Sequence, residues 1–177
     1  VNALGEVAFS GKAGPDGAGN LDTSGVWERD VLGALELKLI EGQPAPHLDG
    51  LTIDGAVVLA LSDRGELLIE AYLRGPGVVS NPPPSANNVA FYLLDAEGNF
   101  ELLVRGADTL EFAPGEFHPV PVGSMSFDAG LEHFAFETWS TGGSAIFYAS
   151  VPEPGSLASS LAAFITTLAL ARMRRAC

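Results

Sequence analysis

Asp16, Asn20 and Asp22 are the best-typed metal ligands in the chain. They stand in the stretch Asp-Gly-Ala-Gly-Asn-Leu-Asp at residues 16–22. Calcium takes about six to eight oxygen ligands from Asp, Asn and backbone carbonyls in glycine-rich loops, so these three side chains can converge on one Ca²⁺. The stretch lacks the glutamate that closes an EF-hand and has no second copy, so a plain solvated hairpin loop is the expected reading and a Ca²⁺ site the alternative. No other cofactor is expected. Two carboxylate pairs, Glu66 with Glu70 and Glu132 with Glu137, have the residue types of a glycosidase, which needs two carboxyl groups flanking a bond. With 22 Asp and Glu in the chain, such pairs also arise by chance. The three histidines, His47, His118 and His133, are far apart and have no ligand spacing. There is no Gly-x-Ser-x-Gly elbow, and the single cysteine, Cys177, is the last residue, so no nucleophilic constellation is assembled. Trp27, Tyr72, Tyr92, Trp139 and Tyr148 are the rings that can stack on sugars. Each falls in or beside an expected strand, where aromatics also serve sheet packing. Trp139, followed by Ser-Thr-Gly-Gly, is the one expected to be exposed. The chemistry is therefore read as non-catalytic.

The elements that must carry these residues are short strands. Gly 21 and Pro 12 in 177 residues suit many strands joined by turns. Period-two alternation is strict at Leu35-Glu-Leu37-Lys-Leu39-Ile40. Further strands are expected at 25–27, 55–61, 67–73, 87–92, 100–104, 121–127, 134–136 and 145–148. Residues 11–25 read as a loop, residues 81–85 as a proline loop, and Asp95-Ala-Glu-Gly-Asn99 as a hairpin turn. The pattern restarts. Gly5, Gly65 and Gly130 each precede a strand and lie 60 and 65 residues apart, and Glu-Leu-Lys-Leu-Ile-Glu-Gly at 36–42 returns as Glu-Leu-Leu-Val-Arg-Gly at 101–106. Units therefore start near residues 2, 62 and 127, with about four antiparallel strands each. Two and a half units are too few to close a ring of at least about four blades. The expected fold is all-β, with antiparallel sheet repeats in a partial β-propeller-like or open assembly. Strands should begin just after Gly5, Gly65 and Gly130, with Phe9, Leu68 or Ile69, and Phe134 or Phe136 turned inward.

Charge and the chain's end decide partners and place. The net charge is −13, with all 22 acidic residues in 1–155 against six Lys and Arg. A body that acidic repels phosphate backbones, so no nucleic-acid partner is expected. After Val151-Pro152-Glu153-Pro154, residues 155–171 carry no charge; then come Arg172, Arg174 and Arg175, and the sequence stops at Cys177. Those 17 uncharged residues make a helix of about 25 Å, at the short edge of what spans a bilayer's core of about 30 Å. Leu157, Leu161, Phe164, Ile165 and Leu168 also fit a helix docked on the body, but its wet face would hold only Ser, Thr and Ala. The membrane is thus the expected partner. Arginines beside an apolar segment belong on the cytoplasmic side, which leaves 1–150 outside. An exported chain begins with a signal peptide, and residues 1–25 contain none. Val1 enters the first unit partway, so further sequence is expected before it.

The tail closely resembles the PEP-CTERM sorting signal of bacterial surface proteins, in its Pro-Glu-Pro motif at 152–154, apolar segment, arginine cluster and immediate end. The resemblance implies processing by a membrane exosortase, a place at the cell surface or in the extracellular matrix, and the company of extracellular polysaccharide. The units resemble tandem NxxGxxAF repeats: Asn2, Gly5, Ala8 and Phe9 match in full, while Ser62 replaces the Asn before Gly65. That resemblance implies structural roles, a turn Asn, a Gly with positive φ and an Ala-Phe pair facing the core. The expected organisation is a β-repeat domain at 1–150, a linker at 151–155 and a membrane or sorting helix at 156–177. The expected function is that of an exported, non-catalytic surface or matrix protein. The alternatives are a carbohydrate- or ligand-binding module of the same fold and, third, a glycoside hydrolase.

Overall fold

Short polar residues head four turns of one design. The Oδ1 of Asn2 accepts from the amides of Leu4 and Glu6 at 3.1 and 3.0 Å, and Gly5 N donates to Asn2 O. Asp30 repeats this with the amides of Leu32, Gly33 and Ala34. Ser62 does so with Arg64, Gly65 and Glu66, and Asp95 accepts from Gly98 and Asn99. The fourth position is glycine each time, Gly5, Gly33, Gly65 and Gly98, with φ between 81° and 89°. This is a type I turn closed by a left-handed residue, a three-residue connection that suits the twist of antiparallel strands. A fifth turn, headed by Asp128, is one residue longer and places Leu131 at φ 54°.

The computed structural model describes residues 1–13, 23–80, 86–113, 116–119, 125–128, 131, 133–140 and 143–150. Four antiparallel sheets follow from the turns. The first is β1 (Val7–Ala13), β2 (Thr23–Arg29) and β3 (Leu35–Ile40), in that order. The second is β4 (Thr52–Leu61), β5 (Leu67–Arg74), β6 (Val89–Leu94) and β7 (Phe100–Arg105), and a two-stranded ribbon joins β8 (Thr109–Ala113) to β9 (Glu116–Pro119). The fourth holds β10 (Met125–Phe127), β11 (His133–Ser140) and β12 (Gly143–Ser150). All of these elements are strands, so the described chain is all-β and antiparallel.

The first sheet and three strands of the second share one ladder. Val7↔Arg29 and Phe9↔Trp27 in β1–β2 correspond to Leu67↔Leu94 and Ile69↔Tyr92 in β5–β6. In β2–β3, Gly25↔Ile40, Val26↔Leu39 and Trp27↔Leu37 correspond to Ala90↔Arg105, Phe91↔Val104 and Tyr92↔Leu102. Both hairpins carry a bulge at the same step, between Val26 and Trp27 and between Phe91 and Tyr92.

The sheets are layered. Ala8, Val26 and Leu39 from the first pack into one core with Ile53, Leu67, Ile69, Tyr92 and Leu94 from the second. On the second sheet's other face, Leu68 and Leu93 cluster with Leu131 and with partly buried Leu103 and Phe127. The second sheet is therefore covered on both sides along β6, every residue of which is buried, while Val57, Leu59 and Tyr72 stay exposed. The described sheets do not close into a ring.

Strands begin at Val7, Leu67 and His133, close behind the three restarts. One expectation fails: Phe9 is 42% exposed and does not face the core. Adjacent strand residues point to opposite faces, so once Ala8 enters the core Phe9 must leave it. Ile69, its counterpart, is buried because its own face is covered. The loop expected at 11–25 is shorter, since β1 runs to Ala13 and β2 opens at Thr23, and the β8–β9 ribbon carried no sequence signal that was read. The helix expected at 156–177 lies outside the described residues.

Candidate functional site

The first sheet buries one face and bares the other. Alternation sends Val26 and Leu39 into the core, so Phe9, Trp27 and Leu37, which are cross-strand partners, share the outer face. The rings of Phe9 and Trp27 are stacked, with centroids 6.0 Å apart and planes 15° from parallel. Trp27 lies over glycine: a Cβ at Gly25 would sit 2.8 Å from the indole, and one at Gly11 3.5 Å from it. Leu35 and Leu37 continue the face at 60% and 44% exposure. Arg29 is the charged side chain of these outer rows. The hairpin tip adds Val31 and Leu32, both exposed. Among the described residues these side chains give the outside of the first sheet an apolar face.

The buried polar groups lie elsewhere, where the turns meet. Asn2 Nδ2 donates to Ser62 O at 2.9 Å and to Glu6 Oε2 at 2.6 Å, and Ala3 N donates to Asp63 Oδ1. Glu66, 4% exposed, accepts from Ser62 Oγ and from Arg64 Nε, with Arg64 Nη2 also at 3.0 Å. These groups are consumed in fastening the first sheet to the second. Glu70 is four residues further along an extended chain, about 13 Å from backbone to backbone, and its partner is not one of those that hold Glu66. Glu70 instead hydrogen-bonds Tyr72 and, with burial and its charge, raises that phenol's pKa.

His47 Nε2 lies 2.6 Å from Phe100 O. Its charge opposes, without cancelling, the burial that raises the pKa of Glu101. His133 pairs with Asp128 at 2.7 Å. Tyr92 is fully buried, donates to Pro46 O at 2.9 Å, and is pushed up to about 12 by burial, against a small opposing pull from Arg105. Asp16, Asn20, Asp22, Glu132, Val151, Pro152, Glu153, Pro154, Arg172, Arg174 and Arg175 lie outside the described residues. So do the side chains of His118, Glu137, Trp139 and Tyr148. Among the described residues no group of three His, Cys, Asp or Glu can hold a metal, and no helix is long and apolar enough to cross a membrane.

A family model described as Family of unknown function (DUF7453) matches residues 1–117 of the 177. The chain belongs to that family. The DUF7453 match takes in the first two sheets with their shared ladder, and it includes the Phe9–Trp27–Leu37 face. No curated protein and no solved structure matches the chain. The outer face was not singled out from sequence. Its signal was there in the Ala8-Phe9 step and in Gly11 and Gly25, which are paired across β1 and β2.

Proposed function

We propose that this chain is an exported, non-catalytic surface or extracellular-matrix protein, built from stacked antiparallel β units and delivered by its C-terminal signal. The observation that carries the reading is the order Pro152-Glu153-Pro154, uncharged 155–171, then Arg172, Arg174 and Arg175. The recurrent ladder of β1–β3 and β5–β7 supports the stacked-unit part. Engagement of Asn2, Ser62 and Glu66 in holding turns together supports a structural role. The membrane and an exosortase-like processing enzyme are its partners in transit. The test is surface exposure of an epitope-tagged chain in an exosortase-bearing host. Protease shaving of intact cells should remove the tag. Replacing Pro152, Glu153 and Pro154 with alanine should leave uncleaved precursor in the membrane, and equal processing of both chains defeats the reading.

A second reading, a carbohydrate-binding module, draws on the parallel Phe9 and Trp27 rings. Sugar recognition joins ring stacking to hydrogen bonds with the hydroxyls. Around these rings the face offers Leu35, Leu37 and glycines, with Arg29 as its charged donor, and it suits an apolar partner better.

A further inference from the structure

One kind of turn leads into β1, β5 and β11. Asn2 N donates to Glu6 O at 3.1 Å, Ser62 N to Glu66 O at 2.9 Å and Asp128 N to His133 O at 3.2 Å. At Ser62 and Asp128 that bond is the first rung of a ladder. It continues into Leu61↔Leu67 and Ala60↔Leu68 between β4 and β5, and into Phe127↔Phe134 between β10 and β11. The Asn2 turn makes the same rung, which gives Val1 the place of Leu61 and Val7 that of Leu67. Yet β1 pairs with β2 alone, whereas β5 is held by β4 on one side and β6 on the other. Backbone groups alternate in direction along an antiparallel strand. Glu6 O faces Asn2, so Ala8 and Ser10 turn their N–H and C=O to that same side, while Val7, Phe9 and Gly11 face β2. Among the described residues no backbone group meets Ala8 or Ser10 there. Ser10 is exposed, and its Oγ points below the sheet, where it accepts from Val58 N at 2.6 Å. An edge in this state is a template for another strand.

We propose that the free edge of β1 is a strand-binding site, and that its occupant is an antiparallel strand of this same polypeptide running into the Asn2 turn. The turn fixes the register: Val1 falls opposite Val7, and the residue before it falls opposite Ala8. The first sheet then has four strands in the order of the second, with the new strand in the place of β4. A turn already closed at Asn2 gives a strand of the same chain an effective concentration that no free peptide has. This strand belongs to the stacked-unit part of the function proposed above and is independent of the sorting signal, so its failure leaves that signal untouched.

The test supplies a strand of known pairing. Residues 52–60 are copied ahead of Val1 in the full chain, so that Val1 follows them as Leu61 does in β4. Amide hydrogen exchange is then followed by NMR in detergent. The Ala8 and Ser10 amides should exchange freely in the 177-residue chain and at least about tenfold more slowly in the extended one. The Val7 and Phe9 amides, which face β2, report that the sheet is intact. A second extension carries proline at the copy of Ala60, which would lie opposite Ala8 and has no N–H to give. It should protect the edge less. The extended chain should also melt higher, and a lower melting temperature counts against the site. Slow exchange of Ala8 and Ser10 without any extension, or no slowing with it, overturns the proposal. Equal protection by the proline-bearing extension does the same. So does a free peptide of residues 52–60 that protects the edge as well at about 100 μM, since the site would then take a strand from another molecule.

Discussion

Replacing Ser62 with alanine removes the oxygen to which the amides of Arg64 and Glu66 donate, and a donor to the 4%-exposed Glu66 carboxylate. The loss should be about 1 to 3 kcal/mol in urea unfolding, the range for orphaning buried polar groups. Asp95 heads the equivalent turn at the surface. Its small burial pushes the carboxyl up, but the Asn99 side chain and the amides of Glu97, Gly98 and Asn99 together hold it below the usual aspartate range. A lowered folded pKa adds stability above the unfolded value, about 3.9, and that stability is lost as pH falls through the folded value. Asn fills the same place at Asn2, so Asp95→Asn should keep the turn while flattening the acid limb of a stability-versus-pH curve. Glu101 has the opposite sign. Burial raises its pKa, with His47 pulling back, so the ionised form is disfavoured in the fold and stability falls as pH rises through the folded value. Glu101→Gln should raise the melting temperature at neutral pH, and the gain should vanish below the carboxylate range.

Glycines at the element scale divide by what a Cβ would meet. At Gly65 the φ is 81° and the nearest neighbours would be Glu6 Oε2 at 3.6 Å and Ala96 Cβ at 3.8 Å. Space is adequate, and Gly65→Ala should cost only the left-handed backbone term, about 1 to 2 kcal/mol. At Gly25 a Cβ would meet the Trp27 ring at 2.8 Å and Leu39 O at 3.1 Å. Gly25→Ala must move the indole, so the melting temperature should drop and the tryptophan emission shift together. Strand positions were readable because turn chemistry and alternation agree: Asn2, Ser62 and Asp95 each stand three residues before a glycine, and Leu35-Glu-Leu37-Lys-Leu39 alternates cleanly. The faces were less readable. Residue types do not say which face a neighbouring sheet covers, so Phe9 and Ile69, equivalent in the ladder, end up on a bare and a buried surface. The matching bulges at Val26/Trp27 and Phe91/Tyr92 depend on hydrogen-bond register, which composition does not encode.

For the whole molecule, the candidate metal loop and sorting motif come from residues 16–22 and 151–177, and the described site comes from strands whose aromatics read as sheet packing. A Ca²⁺ site at Asp16, Asn20 and Asp22 would raise the melting temperature by linkage when millimolar metal is added; an unchanged curve that EDTA also leaves alone is the expected result. The tail carries the larger consequence. If residues 155–171 are lipid-facing and Arg172, Arg174 and Arg175 hold the C-terminus cytoplasmic, the β body does not need them to fold. Among the described residues its two cores are built from Val26, Leu39, Ile69, Tyr92, Leu68, Leu93 and their neighbours, all before residue 132. Truncation after Ser150 should then give a soluble domain with the melting temperature and strand content of the anchored one, to within a few degrees. Replacing the three arginines with glutamate should misplace the intact chain in fractionated cells without changing that melting temperature. Aggregation or unfolding of the truncated chain would instead make residues 155–171 part of the core. The docked-helix arrangement, with Leu157, Leu161, Phe164, Ile165 and Leu168 against the sheets, would then hold.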